Sequence, residues 1–175
     1  ETEVFECDYE NDCPPLYESI EAASTEEDHA KILKFLETGR WEGSFLSLGA
    51  SPETQAKTWV TRFDPKDAQK VKWSQLSLHL AIVCGSPFSV VKKLVELYPQ
   101  ALRCTDDQHM LPLHLALRHG SSDETIAFLV KEFPEAINAK GKNGRTAVEC
   151  AQRAKNYSRG VILEAFVERT KSRIS

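Results

Sequence analysis

Leu111-Pro112-Leu113-His114-Leu115-Ala116 returns 35 residues to either side of itself. Upstream it stands as Leu76-Ser77-Leu78-His79-Leu80-Ala81. Downstream it is Thr146-Ala147-Val148-Glu149-Cys150-Ala151, where the histidine is lost but the apolar, polar, apolar, alanine order of the last four positions persists. The spacing holds beyond the hexapeptide, since Gly85 maps to Gly120, Leu94 to Leu129, Pro99 to Pro134 and Ala101 to Ala136. A fixed period of about 20 to 50 residues marks stacked supersecondary units, none of which can bury its apolar face alone.

Each unit reads as a short helix, a glycine break and a longer helix. After Leu78 to Cys84 comes Gly85, then Ser86 as N-cap with Pro87 at the first helical position, and Val91, Leu94, Val95 and Tyr98 recur at the spacing of one helical face. One period on, the same face carries Ile126, Leu129, Val130 and Phe133, with Ser121 and Glu124 as the capping pair. The last unit slips by one position and turns polar (Ile162, Ala165, Phe166, Arg169), as suits a terminal unit that faces water.

These motifs resemble the ankyrin-repeat family, whose signature is Thr-Pro-Leu-His-x-Ala with a period near 33. The match here is Leu-Pro-Leu-His-Leu-Ala at 111–116, with leucine in place of the signature threonine at 76 and 111. That exchange removes the hydroxyl the family sets against its histidine, and the two extra residues per unit lengthen the second helix or its exit. The endings Tyr98-Pro99-Gln100-Ala101 and Phe133-Pro134-Glu135-Ala136 resemble a repeat variety abundant in single-celled algae. The resemblance is clear over 70–172 and weaker over 14–69. It implies an all-α solenoid of about four helix-turn-helix units, 14–69, 70–104, 105–139 and 140–175, with projecting β-hairpin fingers.

Ahead of the array, residues 1–13 are acidic, with Phe5 and Tyr9 interspersed. Such a segment cannot bury enough surface to fold alone, so it is expected as a tail or a docked peptide. Leu16, Ile20 and Ala23 then share a helical face, and Ser24 with Glu27 forms a capping box for a helix from His29 to Thr38 that Gly39 ends. Trp41 to Ala56 reads as irregular because of Gly43, Gly49 and Pro52. The run Thr58 to Phe63, the turn Asp64-Pro65-Lys66-Asp67 and the run Lys70 to Trp73 read as strand, turn, strand, with Trp59 and Trp73 expected to pair across the hairpin.

Net charge is −4, but residues 1–30 hold eleven acids and no Lys or Arg, while from 139 onward nine bases face three acids. This asymmetry suggests an acidic start and a basic end. The five cysteines (7, 13, 84, 104, 150) form an odd set without a CxxC pair or a nearby histidine at zinc spacing, so no metal or cofactor is expected. A reducing intracellular compartment is the simplest home, cytoplasmic or within an organelle, since a chain beginning at Glu1 has had any targeting segment removed or left out. In an exported chain Cys7 and Cys13 could close a small loop. No apolar run reaches the ~18 residues of a membrane span.

No catalytic constellation emerges. His79 and His114 share one repeat position, which suits a neutral imidazole bonded to backbone better than a duplicated catalytic group. Gly141-Lys142-Asn143-Gly144 follows no parallel strand, so it reads as a finger turn and not a phosphate loop. Cys84 and Cys150 fall within helical units as small core or near-core residues. The expected function is therefore binding of another protein, as a recognition module or assembly subunit. The resemblance implies a binding surface of fingers and first-helix positions: Lys72, Trp73, Gln75 and Val83, then Asp107, Gln108, Met110 and Arg118, then Lys142, Asn143, Arg145 and Arg153. The alternative is binding of nucleic acid or another polyanion by the basic final repeat.

Overall fold

Gln55 caps a helix that has no cap of its own. In the computed structural model, which describes residues 5–41, 50–141, 144–147 and 149, α1 (Pro15–Ala22) follows Pro14, whose side chain accepts nothing. The backbone N–H of Leu16 donates instead to Oε1 of the buried Gln55 at 2.9 Å, and Gln55 Nε2 donates to the Ala50 carbonyl at 2.7 Å. Both ends of a buried amide are thus satisfied, and an N–H that lacks a partner within its own helix finds one 39 residues away. Gln55 lies in α3 (Pro52–Lys57), within the stretch read as irregular. The correction has a physical reason: Pro52 stands at the start of the helix, where no N–H is needed, and Ser51 accepts from the Thr54 amide as N-cap. Gly43 and Gly49 lie outside the described residues.

The helix α2 (Glu26–Thr38) begins three residues before the expected His29, and its cap falls one residue after the expected Ser24. Thr25 accepts from the Asp28 amide, while the Asp28 carboxylate accepts the amides of both Ser24 and Thr25, so the capping box is Thr25–Asp28 and not Ser24–Glu27. These bonds hold the Asp28 carboxyl below its ordinary range. Gly39, at φ +72°, ends the helix by donating to the Phe35 carbonyl.

The all-α expectation is corrected by a small mixed sheet ordered β1-β2-β3. β2 (Thr58–Asp64) and β3 (Asp67–Leu76) are antiparallel, and the acidic segment supplies β1 (Phe5–Asp8), parallel to β2 with Phe5 opposite Thr58 and Asp8 opposite Thr61. The expected pairing of Trp59 with Trp73 is also corrected. Trp59 lies opposite Leu76 and Trp73 opposite Arg62, three positions along, so pleat alternation sends the two indoles to opposite faces. Trp73 stacks on the buried Tyr17 ring (6.1 Å, 14°), Tyr9 meets it edge-on at 5.2 Å, and the Arg62 guanidinium covers Tyr9 while bonding Glu10 at 2.8 Å.

Two compact units partition the chain, Glu1–Ala101 and Leu102–Ser175. In the first, α1 packs on α4 (Ser77–Val83) and α2 on α5 (Phe88–Leu97), around Leu16, Ile20, Ile32, Leu36, Leu78, Ile82, Val91 and Leu94. In the second, α6 (Pro112–His119) packs on α7 (Asp123–Glu132), around Leu113, Leu117, Ile126 and Leu129. The 35-residue period is visible atom by atom. Ser86 N–H reaches the Ala81 carbonyl as Ser121 N–H reaches Ala116, and Gly85 and Gly120 sit at φ +71° and +72°. Tyr98 and Phe133 leave the second helices with matching backbone angles into 3-10 turns at Pro99–Arg103 and Pro134–Asn138, which form the exits of their second helices.

The second-helix caps shift by one residue in both repeats. Pro87 and Ser122, not Ser86 and Ser121, hold the N-cap position, both with extended backbone, and Ser122 accepts from the Thr125 amide. Cys84 is exposed, not near-core, because it is the C-cap of α4 beside the Gly85 turn. The terminal pattern from Ile162 to Arg169 and Cys150 lie outside the described residues.

Candidate partner-binding surface

The turn before α6 is built again 35 residues on. Asp106 N–H bonds the Met110 carbonyl at 3.1 Å and His109 N–H returns to Asp106; 35 residues later Gly141 N–H bonds Arg145 at 2.9 Å and Gly144 N–H returns to Gly141. The residue at the left-handed position is His109 in one turn (φ +56°) and Gly144 in the other (φ +68°). In the first turn the Asp106 carboxylate accepts the amides of Gln108 and Met110 at 2.9 and 2.8 Å, which fixes the loop that carries Asp107 and Gln108. Sequence reading missed Asp106, although an aspartate two residues before the tip of a turn is the signal for such a bond.

The two repeat histidines, His79 and His114, are both fully buried. Leu76 N–H donates to His79 Nδ1 at 3.1 Å, so a backbone amide takes the place of the hydroxyl that leucine lacks. His114 Nε2–H donates to the Ala139 carbonyl at 3.0 Å and ties the helix to the next turn. Its Nδ1 is buried without a partner among the described residues. Burial lowers the His114 pKa, against the opposing pull of the Ala139 and Arg145 backbone bonds and of Asp106. A histidine depressed below its unfolded value near 6.5 is neutral in both states above that pH. Below it the unfolded chain takes up the proton first, so stability falls with pH down to the folded pKa and then levels. Denaturant titrations at about pH 7.5 and 5.5 should show this loss, and His114→Gln should flatten it while lowering stability at both.

The structure distributes the expected binding residues unevenly. In the first unit Lys72 is exposed, while Trp73, Gln75 and Val83 are half-buried. Trp73 is engaged by Tyr9 and Tyr17, and Gln75 Nε2 donates to the Tyr17 hydroxyl. In the second unit Asp107, Gln108, Arg118 and Arg145 are exposed and Met110 is half-buried, its Sδ 2.9 Å from where a Cβ on Gly141 would lie. Lys142, Asn143 and Arg153 lie outside the described residues. Pro112 through Leu117 are all buried, so α6 offers solvent only its end, Arg118 and His119. No sequence rule for an amphipathic helix anticipates this, because a first helix covered on all sides shows no polar stripe.

Among the described residues no reactive group stands out. Burial, with Asp12 and Asp8 adding, pushes the Cys7 thiol up to about 11, and burial with Glu18 pushes Cys13 up to about 12, so both remain protonated near neutral pH. Among the described residues, no cluster of three metal-binding side chains occurs, and no helix is long and apolar enough to cross a membrane.

Residues 78–163 match the family model for ankyrin repeats, in three copies. No curated protein matches the chain. Ankyrin repeats generally mediate protein–protein interaction, and the family is typically non-catalytic. Of the three copies, the two that lie within the described residues are built with a buried histidine and paired helices, and residues 78–163 of this chain are ankyrin repeats.

Proposed function

We propose that this chain is a recognition or scaffold module of four repeat units that binds another protein through its turns, acting as fingers, and the exposed ends of its first helices. One observation carries the reading: the hydrogen-bond frame joining Asp106 to Met110 recurs 35 residues on between Gly141 and Arg145, while the intervening sequence changes from Asp107-Gln108 to Lys142-Asn143. A constant frame with variable tips presents side chains in fixed positions, so binding loses little ordering entropy. Lys72, Asp107, Gln108, Arg118 and Arg145 make the contacts in this reading, and Trp73, Gln75, Val83 and Met110 support them from half-buried positions.

Affinity capture from native extract tests it, with the full chain and its Gln108→Ala/Arg118→Ala variant as paired baits. A protein retained at moderate salt by the parent and lost by the variant supports the reading; truncating interface anchors of this kind costs roughly 1–4 kcal/mol. Retention of nucleic acid alone, falling steeply with salt and indifferent to the two substitutions, sinks it in favour of polyanion binding by the basic end.

A further inference from the structure

The β3 strand carries one residue more than β2 where Arg62 faces Trp73 but Phe63 faces Val71, leaving Lys72 as the extra residue of a bulge. Without it, Val71 would share the face of Trp73. With it, Val71 crosses to the face of Phe63, away from the Tyr9, Tyr17 and Trp73 rings. There the two apolar side chains form a cross-strand pair beside the Thr61–Ser74 hydroxyl pair, whose oxygens are 2.8 Å apart. Val71 is 48% exposed, an unusual position for a large aliphatic side chain among the described residues.

The other side of the same face is acidic. Glu6 and Asp8 alternate onto it from β1, Asp12 joins them, and together with Phe63 and Val71 they line an open groove of about 680 Å³ with no Lys, Arg or His in its walls. Two of the three carboxylates are anchored. Asp8 accepts from the Glu10 amide and the Asn11 side chain, and Asp12 accepts from the Asp8 amide. The charges are therefore held in place beside an apolar floor.

We propose that this outward face of the sheet is a docking surface for a basic, aliphatic-containing extended segment of a partner protein, separate from the repeat turns. Charge complementarity selects the occupant: lysine or arginine answers Glu6, Asp8 and Asp12, and an aliphatic side chain two residues away along an extended chain reaches Phe63 and Val71 on the same side. Nucleic acid is repelled by the same carboxylates. A second copy of this chain brings like charges against like in a self-complementary contact. The groove is small, so the contact is a transient one.

The test uses the full chain and a short synthetic peptide of valine and lysine separated by serines, followed by amide chemical shifts and calorimetry. Binding should be seen at micromolar to millimolar peptide, with shifts at Thr61, Phe63, Val71 and Ser74. It should weaken roughly tenfold or more on Val71→Ser or Glu6→Lys and stay unchanged on Arg118→Ala, which separates this surface from the one under Proposed function. Both positions are exposed, so thermal unfolding of the variants should match the parent. Three outcomes overturn the proposal: no binding at millimolar peptide, equal binding when serine replaces every valine, or a homodimer in sedimentation that Val71→Ser dissociates. The peptide with glutamate for lysine should not bind, and its binding would also overturn the charge assignment.

Discussion

Leu113→Ala is expected to destabilise the Leu102–Ser175 unit by about 2–5 kcal/mol, the range for emptying a leucine-sized site in a packed core. Leu113 is 2% exposed on a helix whose neighbours Pro112 through Leu117 are all buried, so no solvent-facing rotamer is available to fill the gap. His114 next to it ties α6 to the Ala139 carbonyl, and that bond resists the helix shift that would close the cavity. Arg118→Ala, five residues on and exposed, is the control and should change stability by less than about 0.5 kcal/mol. Thermal unfolding of the two variants side by side decides the matter. If they melt alike, the 35-residue register is misplaced.

Tyr17→Ala should lower the stability of the Glu1–Ala101 unit by about 3–5 kcal/mol, the range for deleting a buried aromatic ring. Tyr17 is fully buried, stacks on Trp73, meets Tyr9 edge-on and receives a hydrogen bond from Gln75, so it joins α1 to the sheet. It also follows Pro15-Leu16 as His114 follows Pro112-Leu113, taking the place of the repeat histidine. Tyr17→Phe keeps the ring and removes the hydroxyl, leaving Gln75 one bond short at a cost of about 1–3 kcal/mol. A ratio near one between the two losses would show that the hydroxyl, and not the ring stack, carries the join. Near-UV circular dichroism provides a second readout, since the Trp73 signal should collapse in the alanine variant and survive in the phenylalanine one.

Most of the helical repeat was legible in the sequence, and the reason is local. Gly85 and Gly120 occupy left-handed backbone, where a side chain is strained, and a residue with that requirement announces itself at a fixed spacing. Val91, Leu94 and Val95, like Ile126, Leu129 and Val130, declare a buried face through the 3.6-residue turn alone. The helix caps fall one residue after Ser24, Ser86 and Ser121, because the N-cap position needs extended backbone and the following residue takes that conformation in each case. The binding surface was less legible. Exposure depends on what packs against a residue, and the sequence does not record that Tyr9 and Tyr17 cover Trp73.

What the sequence by itself determined, then, is the period, the paired helices, the buried histidines and the hairpin at 58–76, each the product of interactions within one repeat length. Only the tertiary structure decided that the acidic segment pairs with β2, that Gln55 caps α1 across 39 residues, and that a bulge at Lys72 turns Val71 outward. These contacts join residues far apart in the chain, where the free energy comes from main-chain groups and surfaces that every residue carries. Composition cannot name the partner of a group common to all residues, and a shift of one position in strand register exchanges the two faces of the sheet.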